Sequence, residues 1–298
     1  MKRRFSHYRW VTLISFAVMY NFVYLGRFNV NNNMERFVAD VGMNDVQTYI
    51  LSVSIFLSYA AGSVFNRYLA DRVGTKRIVV CGGLGTILMN VLISMEHVWA
   101  LLLGTWIING FFQSMIWVGG ISMLSHWWEE CSKGQGIGIA NFFSGISHVT
   151  AYLLPIMLLS LWPHISWRIA MVIPMGVLLV FVILFGIFAV EKPADKNLDE
   201  YIIKNPRHEK REEVLRKRAK EDKKPWLYFL RLRNFWWWCT IALISSICRY
   251  GLLNWIPVYY KQTSGEEVLS ETFSNLTLPI GMAFGTLVIT WVAETKLF

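Results

Sequence analysis

Charge is scarce in this sequence. Only 16% of its 298 residues are Asp, Glu, Lys or Arg, against 54% hydrophobic residues, and the mean hydropathy is +0.39. Such a composition does not fit a water-soluble globule. Cysteine is also scarce. The four present, Cys81, Cys131, Cys239 and Cys248, show neither metal-ligand nor disulfide spacing, and three lie in apolar runs as small packing residues. No nucleophile–base pairing, metal-ligand set or nucleotide motif stands out, so neither an enzyme nor a bound metal or cofactor is expected. Ten-residue alternation of the kind that marks a membrane β-barrel is missing. So is a small-residue cleavage site after Met1-Lys2-Arg3-Arg4, and the apolar run that follows reads as a retained first span.

Long apolar runs fill the space those absences leave. Eight are long enough to cross a bilayer, at roughly 10–32, 47–69, 78–95, 98–126, 135–161, 166–190, 235–260 and 275–293. Backbone in lipid must satisfy its own hydrogen bonds, and without a barrel pattern only helices do so. The expectation is an all-α, polytopic membrane protein.

The basic residues orient it. Lys2, Arg3, Arg4 and Arg9 precede the first span, and Arg67, Arg72, Lys76 and Arg77 lie around the end of the second. Fourteen more fall between Lys192 and Arg233, while the alternate loops hold only Arg36, Arg168 and Lys261. The positive-inside rule therefore puts the N-terminus in the cytoplasm. The segment 191–233 mixes its Lys and Arg with Glu and Asp, as in Glu209-Lys210-Arg211-Glu212-Glu213, and reads as a solvated linker drawn to anionic headgroups. It separates a six-helix half (1–190) from a shorter half (234–298). The net charge of +9 needs no nucleic-acid partner in a basic membrane protein. Glycines at 82, 83, 85, 134, 136, 138, 281 and 285 read as close helix packing.

Two of the runs carry a lone arginine. Arg27 follows a long apolar approach in the first, and Arg249 sits about midway through the seventh; an aromatic residue follows each, Phe28 and Tyr250. A guanidinium at membrane depth costs a few kcal/mol or more unless it meets a wet cavity or an anion. The alternatives are snorkelling to an interface or binding a backbone carbonyl. Two matching spans point to an internal repeat with an anion site between the halves. Tyr20 and Tyr24 lie two turns and one turn before Arg27 on about the same face.

The loop Asp71-Arg72-Val73-Gly74-Thr75-Lys76-Arg77, whose acid, glycine turn and bases can tie neighbouring helix ends, resembles the signature loop of the major facilitator superfamily. Arg67 stands where that signature has a glycine. Three further stretches resemble the organophosphate:phosphate antiporters of that superfamily, the group of the bacterial glycerol-3-phosphate and hexose-phosphate transporters. They are Tyr20, Tyr24 and Arg27; Gly110-Phe111-Phe112-Gln113, Trp117 and His126-Trp127-Trp128; and Arg249-Tyr250-Gly251-Leu252-Leu253-Asn254-Trp255-Ile256-Pro257.

The resemblance implies twelve spans in two sets of six, so a chain ending after its eighth is expected to be truncated. It implies exchange of an organophosphate for inorganic phosphate by a monomer in the bacterial inner membrane. Arg27 and Arg249 would grip the phosphate, and Tyr20 and Tyr24 would line the site. Departures occur at Ser63, Gly145, Ser246, Asn254, Val118 and Gly119, where some members carry lysine, histidine, tyrosine, an acid and two prolines. His148, one turn after Gly145, could supply the imidazole. Two competing expectations are a sugar-phosphate sensor that signals to a partner kinase and a carrier of carboxylate anions.

Overall fold

The computed structural model describes residues 2–128, 133–162, 164–198, 232–264 and 267–294. Among them the secondary structure is helical throughout. The helices are α1 (Lys2–Asn32), α2 (Met34–Val41), α3 (Asp45–Val73), α4 (Thr75–Ile93), α5 (Trp99–Leu124), α6 (Lys133–Leu161), α7 (Trp167–Phe188), α8 (Arg233–Ser264) and α9 (Glu267–Glu294). Six are long and apolar enough to cross a membrane: α1, α3, α4, α5, α7 and the stretch Gly134–Pro155 of α6. They coincide with the first six expected spans, while α8 and α9 cover the seventh and eighth. Two compact units result, Met1–Ile202 with Pro279–Phe298, and Ile203–Leu278.

The boundaries follow local chemistry. Gly42, in the left-handed region at φ 72°, ends α2. Asn44 opens α3 with a reciprocal capping box: Gln47 N–H donates to Asn44 Oδ1 at 2.8 Å, and Asn44 N–H donates to Gln47 Oε1 at 3.0 Å. Gly74, at φ 103°, turns the chain between α3 and α4 in a conformation only glycine adopts without strain. Helix α1 starts well before the apolar run because its first turns are themselves packed. Phe5 lies 5.5 Å from the Trp127 ring, and Arg9 sits 5.3 Å over Trp128.

In the first unit α1 packs along α6 and α7, and α5 is flanked by α3 and α4. The core gathers Leu13, Phe16, Met19, Val23, Ile116, Leu178, Val182 and Phe185. Close approach depends on small residues. A Cβ at Gly120 would stand 2.0 Å from the Phe16 ring, and one at Gly82 would stand 2.7 Å from the Phe112 carbonyl oxygen. Gly281 and Gly285, read from sequence as packing positions, instead have no described atom within 4 Å of where a Cβ would stand.

Polar groups buried here have lipid rather than water outside, so they find one another. Asn29 Nδ2 donates to Asn90 Oδ1 at 3.2 Å and to the Met171 carbonyl at 3.1 Å, joining α1, α4 and α7. Asn66 Nδ2 donates to Ser114 Oγ at 2.7 Å, joining α3 and α5. At the end of the bundle that carries α2, Arg168 donates to the Asp40 carboxylate and to the carbonyls of Ser94 (2.6 Å) and Glu96 (3.0 Å). His97 Nδ1 lies 3.2 Å from the same carboxylate. This clasp ties α2, the α4–α5 turn and the start of α7.

The hydrogen bond from Arg168, with the charges of Arg168 and His97, holds the Asp40 carboxyl below its ordinary value of 3.8. A depressed carboxyl stabilises the fold fully above its unfolded value and loses that contribution as pH falls through the folded one. Thermal unfolding in detergent between about pH 5 and about pH 3 is expected to show a falling midpoint that Asp40→Asn flattens. An identical fall in the variant would place the acid sensitivity elsewhere. Gly120→Leu is expected to lower stability by roughly 1–3 kcal/mol through overpacking against Phe16, read from the same melts at neutral pH.

Candidate functional site

Tyr20, Tyr24 and Arg27 follow one another along a single face of α1, as their spacing requires. Both phenols are buried. The Tyr20 ring lies 4.8 Å from Trp117 on α5 and 5.4 Å from Tyr24, edge to face in the second pair. Tyr24 Oη meets Ser144 Oγ of α6 at 3.0 Å, and the Tyr24 ring is 4.7 Å from the imidazole of His148. His148 also packs on Phe28 at 5.3 Å. The structure thus brings Tyr20, Tyr24, Arg27 and His148 together between α1, α5 and α6.

Arg27 is the centre of the group. Its Nε donates to Gln113 Oε1 at 2.8 Å. Its guanidinium carbon sits 4.9 Å from the centroid of Tyr24 and 4.6 Å from that of Tyr59 on α3, within cation–π range of both faces. Aromatic faces and an amide oxygen hold the cation in place without neutralising it. Among the described residues no carboxylate pairs with Arg27. Its Nη2 is buried without a hydrogen-bond partner, and so is Nε2 of Gln113. The amide orientation follows from the guanidinium, because a flipped Gln113 would set donor against donor. Two orphaned donors and an unpaired charge are what the oxygens of an oxyanion would satisfy.

His148 adds a conditional contribution. Its Nδ1 lies 3.0 Å from the carbonyl oxygen of Ser144, which only accepts, so Nδ1 carries the proton. Nε2 then accepts in the neutral ring and donates only in the imidazolium. The departure at Gly145 has a local cause: a Cβ there would stand 2.5 Å from Cβ of Ala283 on α9. Phe142 and Phe284 meet at 5.7 Å in the same contact. No side chain larger than hydrogen fits at 145, and His148 faces Tyr24 from the next turn.

Arg249 lies on α8, in the second unit. Its side chain falls outside the described residues, as does that of Tyr250. In the signature loop, Asp71 pairs with Arg67 at 3.9 Å within α3, and Arg72 covers the Tyr68 ring at 4.3 Å. The tie between helix ends uses another acid. Glu191, just past α7, accepts from the Thr75 N–H at 2.9 Å, a carboxylate at the N-terminus of α4. Gly74 leaves room for it, since a Cβ there would stand 3.0 Å from Glu191 Oε2. Lys76 and Arg77 form no ion pair among the described residues.

Tyr59 joins the site only in the structure, and Gln113 stands out in the sequence only as part of a family pattern. The available signal was a polar amide in the middle of an apolar span, which lipid tolerates only when the group is used or paired. Gln113→Glu tests the site. The change is nearly isosteric and puts a carboxylate beside Arg27, supplying from within the charge an oxyanion would bring. Phosphate affinity by calorimetry is expected to fall about tenfold or more, with the melting temperature kept or raised. Unchanged affinity would remove Arg27 and Gln113 from the anion site.

The matching family description is the Major Facilitator Superfamily, over residues 16–297. Among curated proteins, a probable hexose phosphate transport protein of Chlamydia muridarum is 22% identical over 99% of this chain and 66% of its own length. The glycerol-3-phosphate transporter of Bacillus subtilis is 20% identical over 87% and 59%, and a phosphoglycerate transporter protein of Salmonella typhimurium is 22% identical over 99% and 65%. The chain thus spans somewhat less than two thirds of the length of these relatives. Among solved structures, a bacterial homologue of the human lysosomal transporter Spinster superposes with a TM-score of 0.54 at 18% identity, covering 62% of this chain and 44% of the other. Six membrane-length helices, a glycine-turned α3–α4 loop and one family description that matches almost the whole chain make this an integral membrane protein of the major facilitator superfamily.

Proposed function

We propose that the protein is a secondary active transporter that exchanges an organophosphate, of sugar phosphate, glycerol phosphate or phosphoglycerate type, for inorganic phosphate. The observation that carries this reading is Arg27: a guanidinium within a membrane-length helix, fixed by Gln113 and two tyrosine faces, with no carboxylate paired to it among the described residues and donors left over. A phosphate carries about two negative charges near neutral pH and several acceptor oxygens. It matches both the missing charge and the missing acceptors. The relatives named for phosphorylated substrates favour that anion.

In this reading Arg249 supplies the second guanidinium from the other half, and the two forks hold the phosphoryl group between them. Tyr20 and Tyr24 shape the pocket and add donors without adding charge. His148 donates when protonated. Alternating access follows from the repeat: the halves rock about the central anion, which opens to one side at a time. Without an anion the guanidiniums repel. With one they are drawn together, so substrate lowers the barrier to the exchange step. The basic linker faces the cytoplasm, and the protein acts as a monomer in the inner membrane.

Two experiments test the proposal. In vesicles loaded with labelled phosphate, external glycerol-3-phosphate or hexose-6-phosphate is expected to drive phosphate out. Arg249→Lys should slow that exchange about tenfold, because lysine lacks the planar fork. Binding without flux would favour a sensor, and competition by dicarboxylate but not by phosphate would favour a carboxylate carrier. For the topology, a cysteine replacing Asn205 should react with an impermeant maleimide only from the cytoplasmic side. Labelling from outside would invert the orientation.

A further inference from the structure

The bundle carries a second anion-directed feature, on its outside. A groove of about 730 Å3 runs between α4, α5 and the end of α7. Along α4 its wall is one stripe at helical spacing: Lys76 and Arg77, then Val80 and Cys81, then Leu84 and Leu88. Both cations are therefore at one end, and everything further along the stripe is apolar. Phe112 closes the inner wall, whereas the next residue, Gln113, turns the other way toward Arg27. The groove and the central site are separate.

Its depth comes from two missing side chains. A Cβ at Gly85 would stand 2.3 Å from the Phe112 ring, so glycine lets that ring sit low. At Gly186 on α7 a Cβ would meet only Val80, at 3.9 Å, so glycine there leaves open space. Leu84, Leu88, Ile187 and Phe188 around it are exposed. In a membrane-spanning bundle such a surface is in hydrocarbon.

Among the described residues neither cation at the mouth is ion-paired. Glu191 also lines the groove, but its carboxylate is committed to the Thr75 N–H at 2.9 Å. That leaves a net positive end on an otherwise apolar channel. From Lys76 to Leu88 the stripe runs about 18 Å at the helical rise, close to the roughly 15 Å thickness of one leaflet's hydrocarbon.

We propose that this groove binds one anionic phospholipid, with its phosphodiester headgroup on Lys76 and Arg77 and an acyl chain lying along α4 past Gly85 and Gly186, in the leaflet that faces the α3–α4 loop. A zwitterionic lipid brings the same chain but no net charge to answer the two cations. A soluble phosphate brings the charge but leaves the apolar channel unfilled. The bound lipid bridges α4 and α7 at the loop where Glu191 already joins them.

The test is native mass spectrometry of the purified protein, incubated in mild detergent with equal amounts of phosphatidylglycerol and phosphatidylcholine of the same chain length. The wild type is expected to retain one phosphatidylglycerol in preference to phosphatidylcholine. Each surface cation is worth roughly fivefold toward an anionic headgroup, so the Lys76→Gln/Arg77→Gln pair should cut that preference by roughly thirtyfold. Gly186→Leu fills the channel and should reduce retention of both lipids several-fold, whereas Gly186→Ala, which has room for its methyl, should restore it. Variants are compared at wild-type melting temperature, and Arg36→Gln on α2 controls for general loss of charge. Undiminished preference for phosphatidylglycerol in the double variant would overturn the headgroup assignment, and unchanged retention in Gly186→Leu would overturn the groove.

Discussion

The first unit is arranged around a positive charge that none of the described residues neutralises. Arg27 is supported by an amide oxygen from α5 and by tyrosine faces from α1 and α3, contacts that fix a guanidinium in space and leave its charge intact. A carboxylate in the same place would have formed a closed ion pair, stable and inert. Aromatic faces and an amide cost less to bury than an acid, and they leave donors pointing inward. The consequence is a buried guanidinium with spare donors where four helices of the first unit meet, the feature on which the proposed anion site rests.

Everything else in that unit serves the geometry of this group. Small residues let α5 approach α1 and α4, which brings Gln113 within 2.8 Å of Arg27. The asparagine contacts among α1, α4 and α7 lock helix rotation just beyond the arginine, so the face carrying Tyr20, Tyr24 and Arg27 cannot turn outward. Polar contacts are the useful kind in lipid, where apolar surfaces have no water to escape and shape alone must otherwise set orientation. The Arg168 clasp at one end and the Glu191 contact at the other close the bundle with carboxylates kept well away from the centre. Among the described residues the acids that form contacts in this unit lie at its ends, which leaves the charge of Arg27 unpaired.

Legibility from the sequence was uneven. The first six spans came from length and hydropathy, the turn at Gly74 from the residues of its loop, and the alignment of two tyrosines with Arg27 from the helical period. The amphipathic helix α2 was not counted among the spans and is too short to be one. Tyr59 could not be found because a tyrosine in an apolar span usually packs, and nothing along the chain indicates that its ring will lie under a guanidinium from another helix. The loop suggests Asp71 as the acid that ties the α3–α4 turn, but the contact comes from Glu191, more than a hundred residues on.

By itself the sequence determined what lipid imposes locally. Backbone hydrogen bonds must be satisfied within each span, so run length and hydropathy decide that a helix exists, and the 3.6-residue period decides which residues share its face. Only the tertiary structure decided what each face meets. Whether Arg27 finds an acid, an amide or nothing depends on the rotation and spacing of helices far apart in the chain. Those are set by where a missing side chain, such as at Gly120 or Gly145, lets two backbones come close.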